Sequence, residues 1–239
     1  MELVTEKKTK MKRWKKGLWV TFGSLIFLII LAIIFVTVYI NRSLPLTSGK
    51  LAVEGLIEEV KIVRDENGVP HIYANNDHDL YFAQGFIQAQ ERLLQMDLSR
   101  RQASGRLSEV VGSAAIDRDK FFRTLGLRRA AEASYEAYSK EAKQTLQAFA
   151  KGVNAFIKMA LEEKRLPIEF TLLGYEPEKW DPIDSLTIGK YMAFDLGGHW
   201  QGQAFRYWAL ENLPEEKAKD LFPSYPENAP VILSAYEDV

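Results

Sequence analysis

The stretch Val60-Lys61-Ile62-Val63-Arg64-Asp65-Glu66-Asn67-Gly68-Val69-Pro70-His71-Ile72-Tyr73-Ala74, together with the run from Asp77 to Ala103 behind it, decides how the chain folds. Val60 and Ile62 alternate with Lys61 and Arg64, as in a strand with one buried face. Asp65-Glu66-Asn67-Gly68 supplies a turn in which Gly68 is free to take positive φ, and Val69 to Ala74 gives a second extended run. Pro70 has no N–H for a ladder and marks a sheet edge or a strand start. After Asn76 and Asp77, either of which can cap a helix, Leu80, Phe82, Phe86, Ile87, Ala89, Leu93, Leu94, Met96 and Leu98 recur at three- and four-residue steps. The spacing predicts a long helix over 77–103. Two short strands do not make an independently stable sheet, so the hairpin needs partner strands from elsewhere and the chain reads as part of a larger fold.

Downstream, Gly105 and Gly112 bracket a short element, and helical stretches are predicted over 117–138 and 140–163, the second with Leu146, Phe149, Val153, Phe156 and Ile157 on one face. Pro167 stops this run. An irregular segment rich in Pro and Gly covers 167–182, and a further helix is predicted from Pro182 or Ile183 to about Asn212.

Upstream, the overall charge of −1 hides an asymmetry. Residues 1–17 carry seven Lys or Arg (Lys7, Lys8, Lys10, Lys12, Arg13, Lys15, Lys16) against Glu2 and Glu6, a charge of +5 that leaves −6 for the rest. Leu18 to Ile40 then holds no charge. At ~1.5 Å per residue this helix spans ~34 Å, enough for a hydrocarbon core of ~30 Å. Trp19 and Tyr39 lie near its ends, and the basic flank places Met1 in the cytoplasm by the positive-inside rule. The competing reading is a cleaved secretory signal, but the apolar stretch is longer than a signal core and no A-x-A pattern follows it. The expected organisation is a basic cytoplasmic tail over 1–17, a signal anchor over 18–40, a spacer over 41–53 and one extracellular domain over 54–239. A basic tail directly before a membrane span orients the span, so no nucleic-acid partner is expected. The whole chain has 239 residues, 47% hydrophobic and 26% charged, and no cysteine. That excludes gross disorder, a disulfide scaffold, a cysteine nucleophile and a thiolate metal site. A surface domain without cysteine suits a Gram-positive bacterium, and the Asn41-Arg42-Ser43 sequon beside the membrane is read as coincidence.

Local chemistry is sparse. His71, His78 and His199 have no second ligand at metal spacing and read as structural or surface residues. There is no G-x-S-x-G elbow and no Walker A loop. Asp65-x-Asn67-Gly68 resembles the start of a calcium loop but lacks the distal glutamate, so turn chemistry explains it. Gln90-Glu91-Arg92 and Arg100-Arg101 have the guanidinium forks that bind a carboxylate, although ion pairs with neighbours such as Asp97 are the commoner use. Tyr81, Phe82 and Phe86 fit either an acyl pocket or core packing.

The run Val63-Arg64-Asp65-Glu66-Asn67-Gly68-Val69-Pro70-His71-Ile72-Tyr73-Ala74-Asn75, then Gly85-Phe86-Ile87-Gln88-Ala89-Gln90-Glu91-Arg92-Leu93-Leu94-Gln95-Met96-Asp97, Arg100-Arg101, Gly105 and Glu109-Val110-Val111-Gly112, strongly resembles the start of the penicillin acylase (penicillin amidase) family. Pro167-Ile168-Glu169-Phe170, Gly174-Tyr175-Glu176-Pro177, Trp180, Pro182, Asp184 and Lys190-Tyr191-Met192-Ala193 are also similar to it, and the likeness covers roughly 58–230. The resemblance implies an α+β fold: the α-chain part of an αββα N-terminal-nucleophile hydrolase sandwich, mostly helical here, preceded by one transmembrane helix. It implies that a Ser at the new N-terminus of a β chain attacks the amide carbonyl, with its own α-amino group as base through a water. It also implies that donors of the β chain hold the oxyanion. The nucleophile must begin a freed chain, so no catalytic residue is expected here and the chain alone is expected to be inactive. By resemblance Met192 is an apolar wall of the acyl pocket. Leu196 stands where some members have an aromatic residue, which leaves an aliphatic acyl group open beside phenylacetyl. Many members hold a calcium ion through a glutamate of the α chain, and the best-matching position is Gln203, whose neutral amide lowers the ligand charge and the affinity. No cofactor is otherwise required.

The expected function is therefore the α portion of a membrane-anchored amidohydrolase acting on N-acyl amides such as β-lactam side chains or acyl homoserine lactones. Its expected partner is a β chain. The alternative is a catalytically inactive, truncated surface protein that binds an acylated ligand or a partner.

Overall fold

The computed structural model describes residues 2–222; the tail 223–239, which the sequence reading includes in the outer domain, and the side chains of 2–18 and of residue 42 lie outside the described residues. Asp65 builds the hairpin turn. Its Oδ1 accepts the N–H groups of Asn67 and Val69, each at 2.9 Å, while Gly68 takes φ +77. This joins β1 (Lys61–Arg64) to β2 (Pro70–Tyr73) in antiparallel register, with Lys61 opposite Tyr73 and Arg64 opposite Pro70. Pro70 occupies the first position of its strand, where a missing N–H does least harm. Among the described residues the sheet has these two strands.

Helix α1 (Glu2–Ser43) contains the apolar segment Trp19–Asn41, of mean hydropathy 2.8, which is long and apolar enough to cross a membrane and, among the described residues, is exposed along its length. Residues 44–60 lead to the hairpin and are tied down at several points. Gln90 Nε2 donates to Leu46 O at 3.0 Å, and the buried Asp79 carboxylate accepts the N–H groups of Ile57 (2.9 Å) and Glu58 (2.8 Å).

Helix α2 (Asp77–Ser104) starts where Asn76 Oδ1 accepts the N–H of Asp79 at 2.8 Å. It ends at Gly105, φ +67, where the N–H of Arg106 returns to Arg101 O and that of Gly105 to Gln102 O, a Schellman closure. Arg92, with φ −142, kinks it midway. Then come α3 (Ser108–Val111), a 3-10 turn at Ser113–Ala115, α4 (Ile116–Leu125) and α5 (Leu127–Ala137). The single helix expected over 117–138 is thus two, because Gly126 at φ +77 breaks it.

Helix α6 (Lys140–Glu162), capped by Ser139, lies against α2. The contact is backbone on backbone. A Cβ on Gly152 would stand 1.9 Å from Phe82 O, and one on Gly85 would stand 2.1 Å from Phe149 O. Around this crossing Phe86, Ile87, Ala89, Leu93 and Met96 of α2 bury against Ala150, Val153, Phe156, Ile157 and Ala160 of α6. Phe86 and Phe156 meet edge to face with centroids 5.6 Å apart. The segment expected to be irregular over 167–182 holds a short helix, α7 (Ile168–Leu173), which Pro167 begins and Gly174 ends at φ +71. Asn154 pins the next turn: its Oδ1 accepts from Trp180 N (2.7 Å) and its Nδ2 donates to Trp180 O (2.9 Å).

Helix α8 (Pro182–Leu196) opens with a reciprocal capping box: Asp181 Oδ1 accepts Ile183 N–H and Asp184 Oδ2 accepts Asp181 N–H. The helix expected to reach Asn212 stops instead at Gly197-Gly198 and resumes as α9 (Trp200–Asn212), followed by α10 (Glu215–Leu221). The chain divides into two compact units, Met1–Lys190 and Tyr191–Val239. In the second, Ala209 and Ala218 are buried, and Phe205 stacks on Trp208.

Candidate functional site

Met192 and Leu196 lie one turn apart near the end of α8, so both side chains leave the same face. They are 54% and 78% exposed, so neither is a core residue of this chain. Gly197 N–H closes on Ala193 O at 3.0 Å, and after His199 the backbone re-enters helix with Gln203 N–H on His199 O, also 3.0 Å. Gln203 therefore sits in the first turn of α9, exposed, past a glycine break from the other two. Phe205, Tyr207, Trp208 and Leu210 of α9 are exposed as well, which leaves this unit with a large share of apolar surface in solvent.

For calcium, the donor set of this chain does not suffice. Gln203 offers one neutral oxygen, and among the described residues no group of three or more His, Cys, Asp or Glu is placed to hold a metal. Calcium takes six to eight oxygens, several of them anionic, so this chain assembles no calcium site by itself.

The first unit contains a dense ionic network, and here the Arg100-Arg101 pair finds its role. Asp97, 1% exposed, accepts Arg100 Nε at 2.9 Å on one oxygen, and Arg101 Nε (2.8 Å) and the Tyr175 hydroxyl (2.9 Å) on the other. Arg100 continues to Asp184 Oδ2 (3.0 Å) and to the carbonyls of Glu178 (2.8 Å) and Lys179 (3.0 Å), with its guanidinium over the Trp180 ring. Arg101 reaches Glu109 (2.6 Å) and Glu178 (3.2 Å), and Arg106 pairs with the same two carboxylates. Burial and the hydrogen bond to Asp97 push the Tyr175 hydroxyl well above its ordinary pKa. The Arg106 hydrogen bond holds the Glu178 carboxyl below the usual range against a smaller opposing effect of burial. These are structural ion pairs that tie α2, α3 and the 174–184 segment together. The sequence exposes their local half, Asp97 with Arg100 and Arg101 at helical spacing, but nothing in it marks Glu109, Glu178 or Asp184 as partners.

Several of the other sequence candidates take structural roles too. Phe82 and Phe86 are core residues. Arg64 Nη2 lies 2.5 Å from Glu91 Oε1, which ties the hairpin to α2, and His71 and His78 sit beside Asp65 (3.3 Å) and Asp79 (3.1 Å).

A family profile described as Penicillin amidase matches residues 59–235. The chain belongs to the penicillin amidase family. It is 40% identical over 175 residues to penicillin acylase 2 proenzyme of Pseudomonas sp. (strain SE83), across 73% of this chain and 22% of that protein. It is 37% identical over 189 residues to the acyl-homoserine lactone acylase QuiP of Pseudomonas aeruginosa, across 79% of this chain and 22% of that protein. Among solved structures it is similar to a chain of the thermostable penicillin G acylase of Alcaligenes faecalis, with TM-score 0.64 and 25% identity, covering 75% of this chain and 99% of that one. The chain spans about a fifth of the length of the curated relatives it matches. Its described part has the penicillin G acylase fold over the matched portion, and the relatives named here are penicillin and acyl-homoserine lactone acylases.

Proposed function

We propose that this chain is the α portion of a membrane-anchored penicillin-acylase-type amidohydrolase. One observation carries the reading: the match covers 99% of a solved penicillin G acylase chain but 22% of a proenzyme, as expected if the matched region is a separate chain cut from a longer precursor. In this reading the β chain brings the Ser nucleophile, its α-amino base, the oxyanion donors and the strands of the αββα sandwich that complete the β1–β2 hairpin. No residue of this chain attacks the substrate. Its part is to wall the acyl pocket with Met192 and Leu196, whose exposed common face is suited to covering an apolar acyl group. Were a calcium ion held between the chains, Gln203 would offer it one neutral oxygen and the anionic ligands would have to come from the β chain.

The substrate class is an N-acyl amide, a β-lactam side chain or an acyl homoserine lactone, in line with the two activities named among the relatives. The apolar segment Trp19–Asn41 supports an anchor with the cytoplasmic tail over 1–17, the spacer over 41–53 and the domain outside. The lack of cysteine is what suggests a Gram-positive surface, whereas the relatives named above are from Pseudomonas and Alcaligenes. The test is to combine the full chain with its β chain and follow amine release from a panel of both substrate types. Release from any member supports the reading. No release from any, with binding of acylated ligand retained, selects the inactive surface protein instead.

A further inference from the structure

In the first unit, the end of α2, the end of α4, the start of α5 and the 174–184 segment surround an open cavity of about 520 Å³, a volume in the range that small ligands fill. Six cations line it, Arg100, Arg106, Arg123, Arg128, Arg129 and Lys179, against the three carboxylates Glu178, Asp181 and Asp184. Those carboxylates are engaged already. Glu178 pairs with Arg106 at 2.7 Å, Asp184 with Arg100 and Arg128, and Asp181 accepts the Ile183 N–H at 2.8 Å in the α8 cap with Arg128 3.9 Å away. Arg106 and Arg128 have further partners in Glu109 and Glu132.

Three cations remain. Arg123 donates Nε to Gly105 O (2.7 Å) and Arg129 donates Nη1 to Arg123 O (3.1 Å), so backbone carbonyls orient both guanidinium groups without neutralising them. Arg123 also feels Asp119, whose two oxygens accept the N–H groups of Leu107 (2.9 Å) and Ser108 (2.7 Å). Among the described residues no carboxylate pairs with Arg129 or Lys179. The turn at Gly126 brings the two arginines together: a Cβ there would stand 2.5 Å from Arg129 Nη2, so the missing side chain makes room for the guanidinium.

We infer that this cavity is a binding site for a small multivalent oxyanion, phosphate- or carboxylate-bearing, held between Arg123, Arg129 and Lys179. A guanidinium fork matches two oxygens of such a group, and three cations from three separate elements line a cavity whose own carboxylates, Glu178, Asp181 and Asp184, are already engaged by other groups.

The experiment is calorimetric titration of inorganic pyrophosphate and, separately, citrate into the full chain in detergent at low ionic strength. Saturable binding is expected. It should weaken about tenfold in Arg129→Gln, less in Arg129→Lys, and fall as salt is raised. Arg129 is exposed, and an unchanged melting curve would establish that the variants are folded. Tighter pyrophosphate assigns a phosphorylated solute and tighter citrate a polycarboxylate; either supports the site. No saturable binding of either up to millimolar concentration, or equal binding by Arg129→Gln and Lys179→Gln, overturns it.

Discussion

Replacing Gly152 with alanine tests the central contact of the fold. The added methyl carbon would stand 1.9 Å from Phe82 O and 2.9 Å from Phe86 N, all backbone atoms that cannot rotate away. An unstrained carbon–oxygen contact is about 3.4 Å, so α2 and α6 must part by roughly 1.5 Å at this point. A gap of ~0.5–1 Å already forfeits a quarter to a half of each dispersion contact, and the loss is shared along the seam of Phe86, Leu93, Val153 and Phe156. Overpacking of this kind costs ~1–3 kcal/mol, and an obstacle made of backbone belongs at the upper end. The better helix propensity of alanine returns about 1 kcal/mol. The net is a destabilisation of about 2 kcal/mol, which for a chain of this size lowers Tm by roughly 4–8 °C. Gly189→Ala is the control: that glycine is in α8 with nothing within 4 Å of its would-be Cβ, so only the propensity gain applies and Tm should rise slightly. Both are read by calorimetry of the full chain in detergent. A Gly152→Ala protein that melts with or above the parent, as Gly189→Ala should, would refute the reasoning.

Asp79→Asn exchanges one of the acceptors of Ile57 and Glu58 N–H for a donor, and should cost about 2–3 kcal/mol at neutral pH. Burial alone would raise the Asp79 carboxyl pKa, but hydrogen bonds from Ile57, Asn76, His78 and Glu58 outweigh it and hold the pKa far below the usual range. A depressed folded value gives stability that is complete above the unfolded carboxylate pKa of ~3.9 and is lost as pH falls below it, so the Tm gap between parent and Asp79→Asn should narrow on acidification. A gap independent of pH would contradict this. Asp97→Ala strands two buried guanidinium groups and should cost about 3–5 kcal/mol, seen as a fall in the urea midpoint; Asp97→Asn, which keeps an acceptor, should cost less. In the amidohydrolase proposed above, with a β chain supplied, Leu196→Phe should move kcat/KM from longer aliphatic acyl groups toward arylacetyl ones. An unchanged acyl profile would remove Leu196 from the pocket.

What the sequence made legible is what short-range spacing controls. The hairpin, α2 and α6 could be read because turn chemistry at Asp65–Gly68 and apolar periodicity act within a few residues. The breaks at Gly126 and Gly197-Gly198 are not legible in the sequence, because helical pattern resumes on both sides and an isolated glycine is tolerated in helices. Only the tertiary structure shows that Gly126 adopts φ +77. Gly85 and Gly152 look like weak points in a helix until the second helix is laid on them. Pro167 reads as a stop in the sequence, yet α6 already ends at Glu162 and Pro167 instead begins α7. Of the ionic network, Asp97 with its two arginines was local and visible, whereas Asp184 meets Arg100 across 84 positions. Met192, Leu196 and Gln203 were found by family resemblance alone, since no spacing rule singles them out.

The two units differ in how far they satisfy themselves, and that difference makes its own prediction. In the first, loops are fastened by Asp79, Asn154, Asp119 and the Asp181–Asp184 box, and among the described residues no buried side-chain polar atom lacks a partner. In the second, the side chains buried in α9 and α10 are the small Ala209 and Ala218, while Phe205, Tyr207, Trp208 and Leu210 remain exposed. Ordering each backbone residue costs ~1–2 kcal/mol, and burying a large apolar side chain recovers only ~1.5–3 kcal/mol. Two alanines do not offset the ordering of two helices, so α9 and α10 need apolar cover from another surface to be as stable as α2 and α6. Hydrogen exchange on the full chain should therefore show α9 and α10 amides exchanging orders of magnitude faster than those of α2 and α6. Adding the β chain should slow α9 and α10 selectively. Equal protection of all four helices in the chain alone would mean that the second unit is stable without a partner, and would remove this support for a β chain covering it.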